Sequence, residues 1–162
     1  MQNALLAAKG ACAGRVYLVV GHDQGSVVDA SAGLFDKIIV NSEFKNGIGA
    51  SIAAAVSVCR EDADAVLIIL ADQPLVTEAH IRNLIDTWSG VDNEIVSTSF
   101  DKIGCPPILF PKRAFSALSE LRGDSGAKSL MASDEFIVTS IDFPPAEFDI
   151  DRPADLQRLS QD

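Results

Sequence analysis

The sequence predicts an α/β fold: a mostly parallel sheet covered by helices on both faces, in three layers. Three observations carry that prediction. Short apolar runs alternate with Ala- and Leu-rich stretches of helical character along the chain. One run, from Ala65 to Leu70, has no polar break, as in a strand buried on both faces of a parallel sheet. The apolar runs also end in small or polar residues, Gly21, Asn41, Asp72 and Ser99, which would line one sheet edge. In open α/β sheets ligands bind beyond the carboxyl ends of the strands, so that edge is where a site is expected.

The elements follow in order. Residues 1–13 read as a helix stopped by Gly14. Residues 15–20 form a strand, and Asp23 is placed to cap a short helix carrying Val27 and Val28. Residues 37–40 are a second short strand, and residues 48–60 an Ala-rich helix. After the strand at 65–70, Pro74 forces a turn, and Thr77 caps a helix with Ile81, Leu84, Ile85 and Trp88 on one face. Residues 94–98 are a strand and 100–105 a loop. Residues 107–110 read as a short antiparallel edge strand, where proline is tolerated. A helix at 112–121, a helical turn or two at 127–132, a strand at 135–141 and a helix at 154–159 complete the chain. No repeat or linker divides it, so residues 1–162 read as a single domain.

Bulk properties narrow the function. A net charge of −10 argues against nucleic acid and anionic membrane surfaces as partners. It leaves room for a small phosphorylated ligand, because a divalent cation and backbone amides supply positive field locally. Cys12, Cys59 and Cys105 are odd in number and form no C-x-x-C pair, which points to buried, reduced thiols and a cytoplasmic setting. His22 and His80 are too isolated to suggest a metal cluster.

Four short motifs stand where chemistry is expected. Asp72, in Ala71-Asp72-Gln73-Pro74, places a carboxylate at the end of the apolar strand, where it can hold a hard cation such as Mg2+. Taken alone, an Asp before a turn is as well explained by turn formation. Asn46-Gly47-Ile48-Gly49-Ala50-Ser51 opens a helix, and its glycines allow close backbone approach to a ligand or simply make a loop-to-helix junction. Arg122-Gly123-Asp124-Ser125-Gly126-Ala127 has the same ambiguity. Asp149-Ile150-Asp151 puts two acids on one side if extended, or caps the helix that follows.

In this order and at this spacing, the motifs resemble the molybdenum-cofactor nucleotidyltransferases of the MobA/MocA type, within the nucleotide-diphospho-sugar-transferase-like, Rossmann-like folds. Gly21, Asn41 and the Gly104-Cys105-Pro106-Pro107 stretch belong to the same pattern. The Ala-Asp-Gln-Pro and Gly-Asp-x-Gly-Ala pair points to the cytidylyl-transferring branch.

The resemblance implies that Asp72 and Asp151 hold Mg2+, with Asp149 as a neighbour. It implies that Asn41, Gly47, Gly49 and Ser51 lie on the nucleotide side. Gly104, Pro106 and Pro107 fall on the acceptor side, while Gly123, Asp124 and Gly126 are structural or acceptor-binding. The implied partners are a nucleoside triphosphate, CTP favoured over GTP, and molybdopterin cofactor, with a molybdoenzyme or a second copy of the chain as further partners.

One departure matters. The family opens with a strand and a Gly-rich L-A-A-G-x-S-x-R-M-G signature followed by a lysine. Leu6-Ala7-Ala8-Lys9-Gly10 only mimics it. The first helix here matches the one after that signature, so the chain starts late by roughly 30 residues, one strand-loop unit. The missing strand is central in the family, and its absence implies an interrupted sheet with unpaired edges. Truncation of a longer protein is the favoured expectation. A short relative that repacks, or borrows a strand from a second copy, is the other. A non-catalytic relative that binds nucleotide, cofactor or a protein, and an enzyme acting on another phosphorylated acceptor such as a sugar phosphate, are the alternative functions.

Overall fold

The computed structural model describes residues 1–123, 126–150, 152 and 155. The first helix, α1, spans Gln2–Ala11 and is followed by strand β1 (Tyr17–Val20), helix α2 (Gln24–Ala30) and strand β2 (Lys37–Val40). β1 and β2 pair in parallel, Tyr17 opposite Lys37 through Val20 opposite Val40. Asp36 fastens this unit: its carboxylate accepts from the Lys9 ammonium at 2.8 Å and from the Val16 amide at 2.8 Å. Those bonds hold its carboxyl below the usual range.

Helix α3 (Ile48–Cys59), strand β3 (Ala65–Ile68) and helix α4 (Glu78–Thr87) come next. Strands β4 (Glu94–Phe100) and β5 (Ile103–Pro111), helices α5 (Phe115–Ser119) and α6 (Lys128–Met131), and strand β6 (Ile137–Asp142) follow. These strands make a second sheet in the order β3-β5-β4-β6. β5 is antiparallel to both of its neighbours, while β6 is parallel to β4. Three of the four strands therefore run one way, and β5 is the reversed one.

Strand alternation sets the layers. Ile108 and Phe110 point to one face, where they pack with Ile52 and Val56 of α3 and Phe115 and Leu118 of α5. Leu109 points to the other, where it meets Leu84 of α4 and Val96. α1 straddles two clusters: Leu5 and Ala8 join Leu18 and Val20, while Ala7 and Ala11 join Val76 and Ile81. Ile69, just after β3, packs against both clusters, so the β1–β2 pair abuts the larger sheet there without joining its hydrogen-bond ladder. The described strands therefore form two separate ladders, β1-β2 and β3-β5-β4-β6.

Three expectations need correction. The predicted loop at 100–105 is a tight hairpin turn entering a strand. Asp101 and Lys102 both take positive φ, 46° and 66°, the geometry whose twist suits two antiparallel strands. The predicted edge strand at 107–110 belongs to β5, nine residues long and interior to the sheet. Pro106 and Pro107 fit inside it because the ladder jumps from Ser97 opposite Ile108 to Thr98 opposite Cys105, leaving both prolines in a bulge where no amide is needed. The peptide bond between them is cis, and the Thr98 hydroxyl donates to the Pro107 carbonyl at 2.8 Å. The apolar run at 65–70 is half-buried throughout rather than buried on both faces, since β3 is an edge strand paired only to β5.

Other expectations are met. The Thr77 hydroxyl caps α4, accepting from the His80 amide at 3.2 Å, and Ile81 and Leu84 are fully buried. Asp23 does precede α2, but with φ 50° and no side-chain cap bond. Of the predicted helix at 154–159, only Asp155 is among the described residues.

Candidate active site

Asp72 follows β3 at the carboxyl end of that strand. Its backbone carbonyl accepts from the Ile150 amide at 2.9 Å. That bond brings Asp149-Ile150 beside the Ala71-Asp72-Gln73-Pro74 turn. Asp149 is exposed, and Asp151 lies outside the described residues. The carboxylate of Asp72 has one oxygen, Oδ1, that is buried and meets no donor among the described residues. Buried polar atoms are nearly always satisfied, and a hard oxygen left bare at a strand end fits a divalent cation or a ligand donor. Among the described residues no group of three or more potential ligands surrounds a ready-made metal site. Further oxygens must come from bound ligand, water or the acids near Ile150.

The segment carrying those acids is fastened along its length. The Phe143 amide donates to the Ser99 carbonyl at 2.8 Å, continuing the register of β4 and β6. The Phe143 ring stacks on His80, centroids 3.9 Å apart. A 3-10 turn, Pro144–Glu147, follows, and the Gln73 amide nitrogen donates to Ala146 of that turn at 3.0 Å.

The motif at 46–51 is built by Asn41, which is buried at the end of β2. Its amide nitrogen donates to the Ser51 hydroxyl at 3.0 Å, and its Oδ1 accepts from the Glu43 amide at 2.9 Å. Gly47 sits before α3 with φ 85°, a conformation costly for other residues. Gly49 is where two motifs touch: its amide donates to the Gly123 carbonyl at 3.0 Å. A side chain at Gly49 would lie 2.9 Å from that same carbonyl oxygen. The glycine therefore admits the Arg122-Gly123 backbone, a role the sequence did not reveal. Gly126 leads into α6, whose Met131 lies against Gly104. Gly104 and Pro106, expected in a loop, are part of β5. Asp124 lies outside the described residues.

Next to Gly104, Cys105 is buried, and burial pushes its thiol up, with Asp149 adding to the rise and Lys128 opposing it. The thiol is thus a poor nucleophile, as expected from its surroundings. Lys128 and Asp149 thus both bear electrostatically on Cys105 of β5. Lys128 is a positive group that sequence reasoning missed. It follows the Gly-Asp-Ser-Gly turn by only two residues, and that adjacency was the available signal. Lys45 stands over the Phe44 ring, 6.0 Å from its centroid, and Lys102 sits at the hairpin tip.

With this geometry in place, comparison with known proteins decides the family. The sequence pattern of the MobA-like NTP transferase domain matches residues 1–138. The chain belongs to the MobA-like NTP transferase family. The match covers the Asn41, Gly47–Ser51, Asp72, Gly104 and Gly123 positions and ends before Asp149. The purine catabolism protein PucB of Bacillus subtilis is 30% identical over 97 residues, 59% of this chain. Those residues make up 46% of PucB, so the chain matches about half the length of that relative. Rv0371c of Mycobacterium tuberculosis, solved in complex with manganese, superposes with a TM-score of 0.78 at 25% identity, covering 97% of this chain and 83% of that one. A nucleotidyl transferase from Methanothermobacter shares the fold, with a TM-score of 0.82 at 19% identity over 97% of this chain and 76% of the other. This is therefore a nucleotidyltransferase-like α/β domain. Among the described residues no helix is long and apolar enough to cross a membrane.

Proposed function

We propose that this MobA-like domain serves transfer of a nucleotidyl group, CMP from CTP, to the phosphate of molybdopterin cofactor. An oxygen of the acceptor phosphate would form the new bond to the α-phosphorus. The bond from that phosphorus to the bridging oxygen breaks, and pyrophosphate leaves with the electron pair. The observation that carries the reading is the buried, unpartnered Oδ1 of Asp72 with the acid-bearing segment hydrogen-bonded beside it. Asp72 and Asp151, with Asp149 near, would hold Mg2+, which supplies positive charge against the phosphate oxygens. Manganese in the Rv0371c structure is in keeping with a divalent cation in this fold.

The chain's own residues have positioning work in this proposal. Asn41, Gly47 and Ser51 would shape the nucleotide side, Gly49 seats the Arg122-Gly123 backbone against it, and the remaining amides of the α3 N-terminus would face anionic ligand groups. Gly104 and Pro106 on β5, with Gly123, Asp124 and Gly126, shape the acceptor side. Catalysis of this kind rests mainly on orientation and electrostatics.

The test is CMP transfer from radiolabelled CTP to molybdopterin, with GTP as the competing donor, for the chain and for its Asp72→Ala variant. Transfer that prefers CTP and collapses in the variant supports the proposal. Equal rates reject the role of Asp72. A folded chain that binds neither CTP nor GTP with Mg2+ in calorimetry points to a non-catalytic relative instead.

A further inference from the structure

We infer that Gln73 is a positioning residue: its side-chain amide clamps the 143–150 segment and so sets the acids that follow against Asp72. The inference rests on the proposed cation site but concerns a contact that exists without any cation. Gln73 is 2% exposed. Its Nε2 donates to the Ala146 carbonyl at 3.0 Å, across 73 residues of sequence. Ala146 is itself 1% exposed, inside the Pro144–Glu147 turn. Four residues further on, the Ile150 amide reaches the carbonyl of Asp72, the residue before Gln73. The two bonds together make a two-point clasp between the strand-end turn and the acid-bearing segment.

The Ala146 carbonyl needs a donor, which the Gln73 amide supplies; an ionised carboxylate there would set oxygen against oxygen in a buried place. The carbonyl also fixes which way the amide faces, which leaves Oε1 buried and without a donor among the described residues. An unmet buried acceptor costs stability, a cost that the bond to Ala146 has to offset. Phe143 anchors the same segment upstream through Ser99 and His80, but that anchor fixes the start of the turn and not its acidic end.

The test compares the chain with Gln73→Met, which keeps side-chain bulk without the donor, and Gln73→Asn, which keeps the amide but shortens its reach. Hydrogen exchange at the Ile150 amide reads docking of the segment directly, in metal-free protein. Both variants should lose Ile150 protection while Leu109, in the sheet, keeps its own. Mn2+ affinity, followed by electron paramagnetic resonance, should fall about tenfold or more, the usual effect of removing a group that orients ligands. Unchanged Ile150 protection in both variants would overturn the clamp, as would equal loss at Ile150 and Leu109. If wild type shows no Mn2+ binding, the cation proposal fails while the exchange result still decides the clamp.

Discussion

The amide of Ile150 donates to the carbonyl of Asp72 at 2.9 Å, tying the turn after β3 to a segment near the other end of the chain. The bond joins backbone atoms, and the Gln73 side chain, donating to the Ala146 carbonyl at 3.0 Å, holds the segment where that bond can form.

Asp72→Ala should separate function from stability. Its Oδ1 is buried without a donor among the described residues, a situation that costs about 1–3 kcal/mol. Removing the carboxylate in metal-free protein should leave the melting temperature unchanged or raised. Nucleotidyl transfer should fall by about 100-fold or more, as when one preorganised electrostatic group is lost. Calorimetric melting alongside the transfer assay checks both halves, and a variant that simply unfolds would contradict the first.

Glycine substitutions should sort by what surrounds them. Gly49→Ala meets the Gly123 carbonyl at 2.9 Å, so it should push two motif loops apart and cost about 1–3 kcal/mol. Gly25→Ala lies inside α2 with nothing within 4 Å and should stabilise by about 0.5–1 kcal/mol. Urea denaturation of the two variants tests the contrast, and equal effects would contradict the close packing at Gly49.

His80 links α4 to the proline bulge of β5. The Thr98 hydroxyl donates to the Pro107 carbonyl, so its oxygen accepts from His80 Nε2–H at 2.8 Å, which assigns that tautomer to the neutral ring. Burial holds the His80 pKa below its ordinary value of 6.5. Below pH 6.5 the unfolded chain then binds more protons than the native one, and stability should fall as pH drops from 6.5 through the native pKa. Thr98→Val strands both partners and should cost about 1–3 kcal/mol. Denaturation at several pH values, with His80→Phe as the control that flattens this part of the profile, checks the sign.

Cys105 should be dispensable for chemistry. Its thiol is buried and pushed up, so alkylation of the native protein should be slow and Cys105→Ala should retain transfer. Mass spectrometry after iodoacetamide treatment reads the first point and the transfer assay the second.

The parts of this molecule legible in the sequence are those fixed by local chemistry. Thr77 announces its cap, the Ala-rich stretch its helix, and the Ala65–Leu70 run its strand, because periodicity and hydroxyl placement act over a few residues. β5 was misread because Pro106 and Pro107 argue against an interior strand. Only the bulge opposite Ser97 and Thr98, a long-range pairing, removes that objection. Gly49 looked like a ligand-facing glycine, since nothing local shows that Arg122-Gly123 would arrive against it. The Gln73 clamp was hidden for the same reason: its partner is a backbone carbonyl, which every residue carries.

The most direct measurement is Mn2+ anomalous scattering from crystals grown with CTP and Mn2+. The account predicts a peak within bonding distance of the carboxylates of Asp72 and Asp151. A peak bound elsewhere, or well-ordered Asp72 and Asp151 side chains directed apart around CTP, would contradict it.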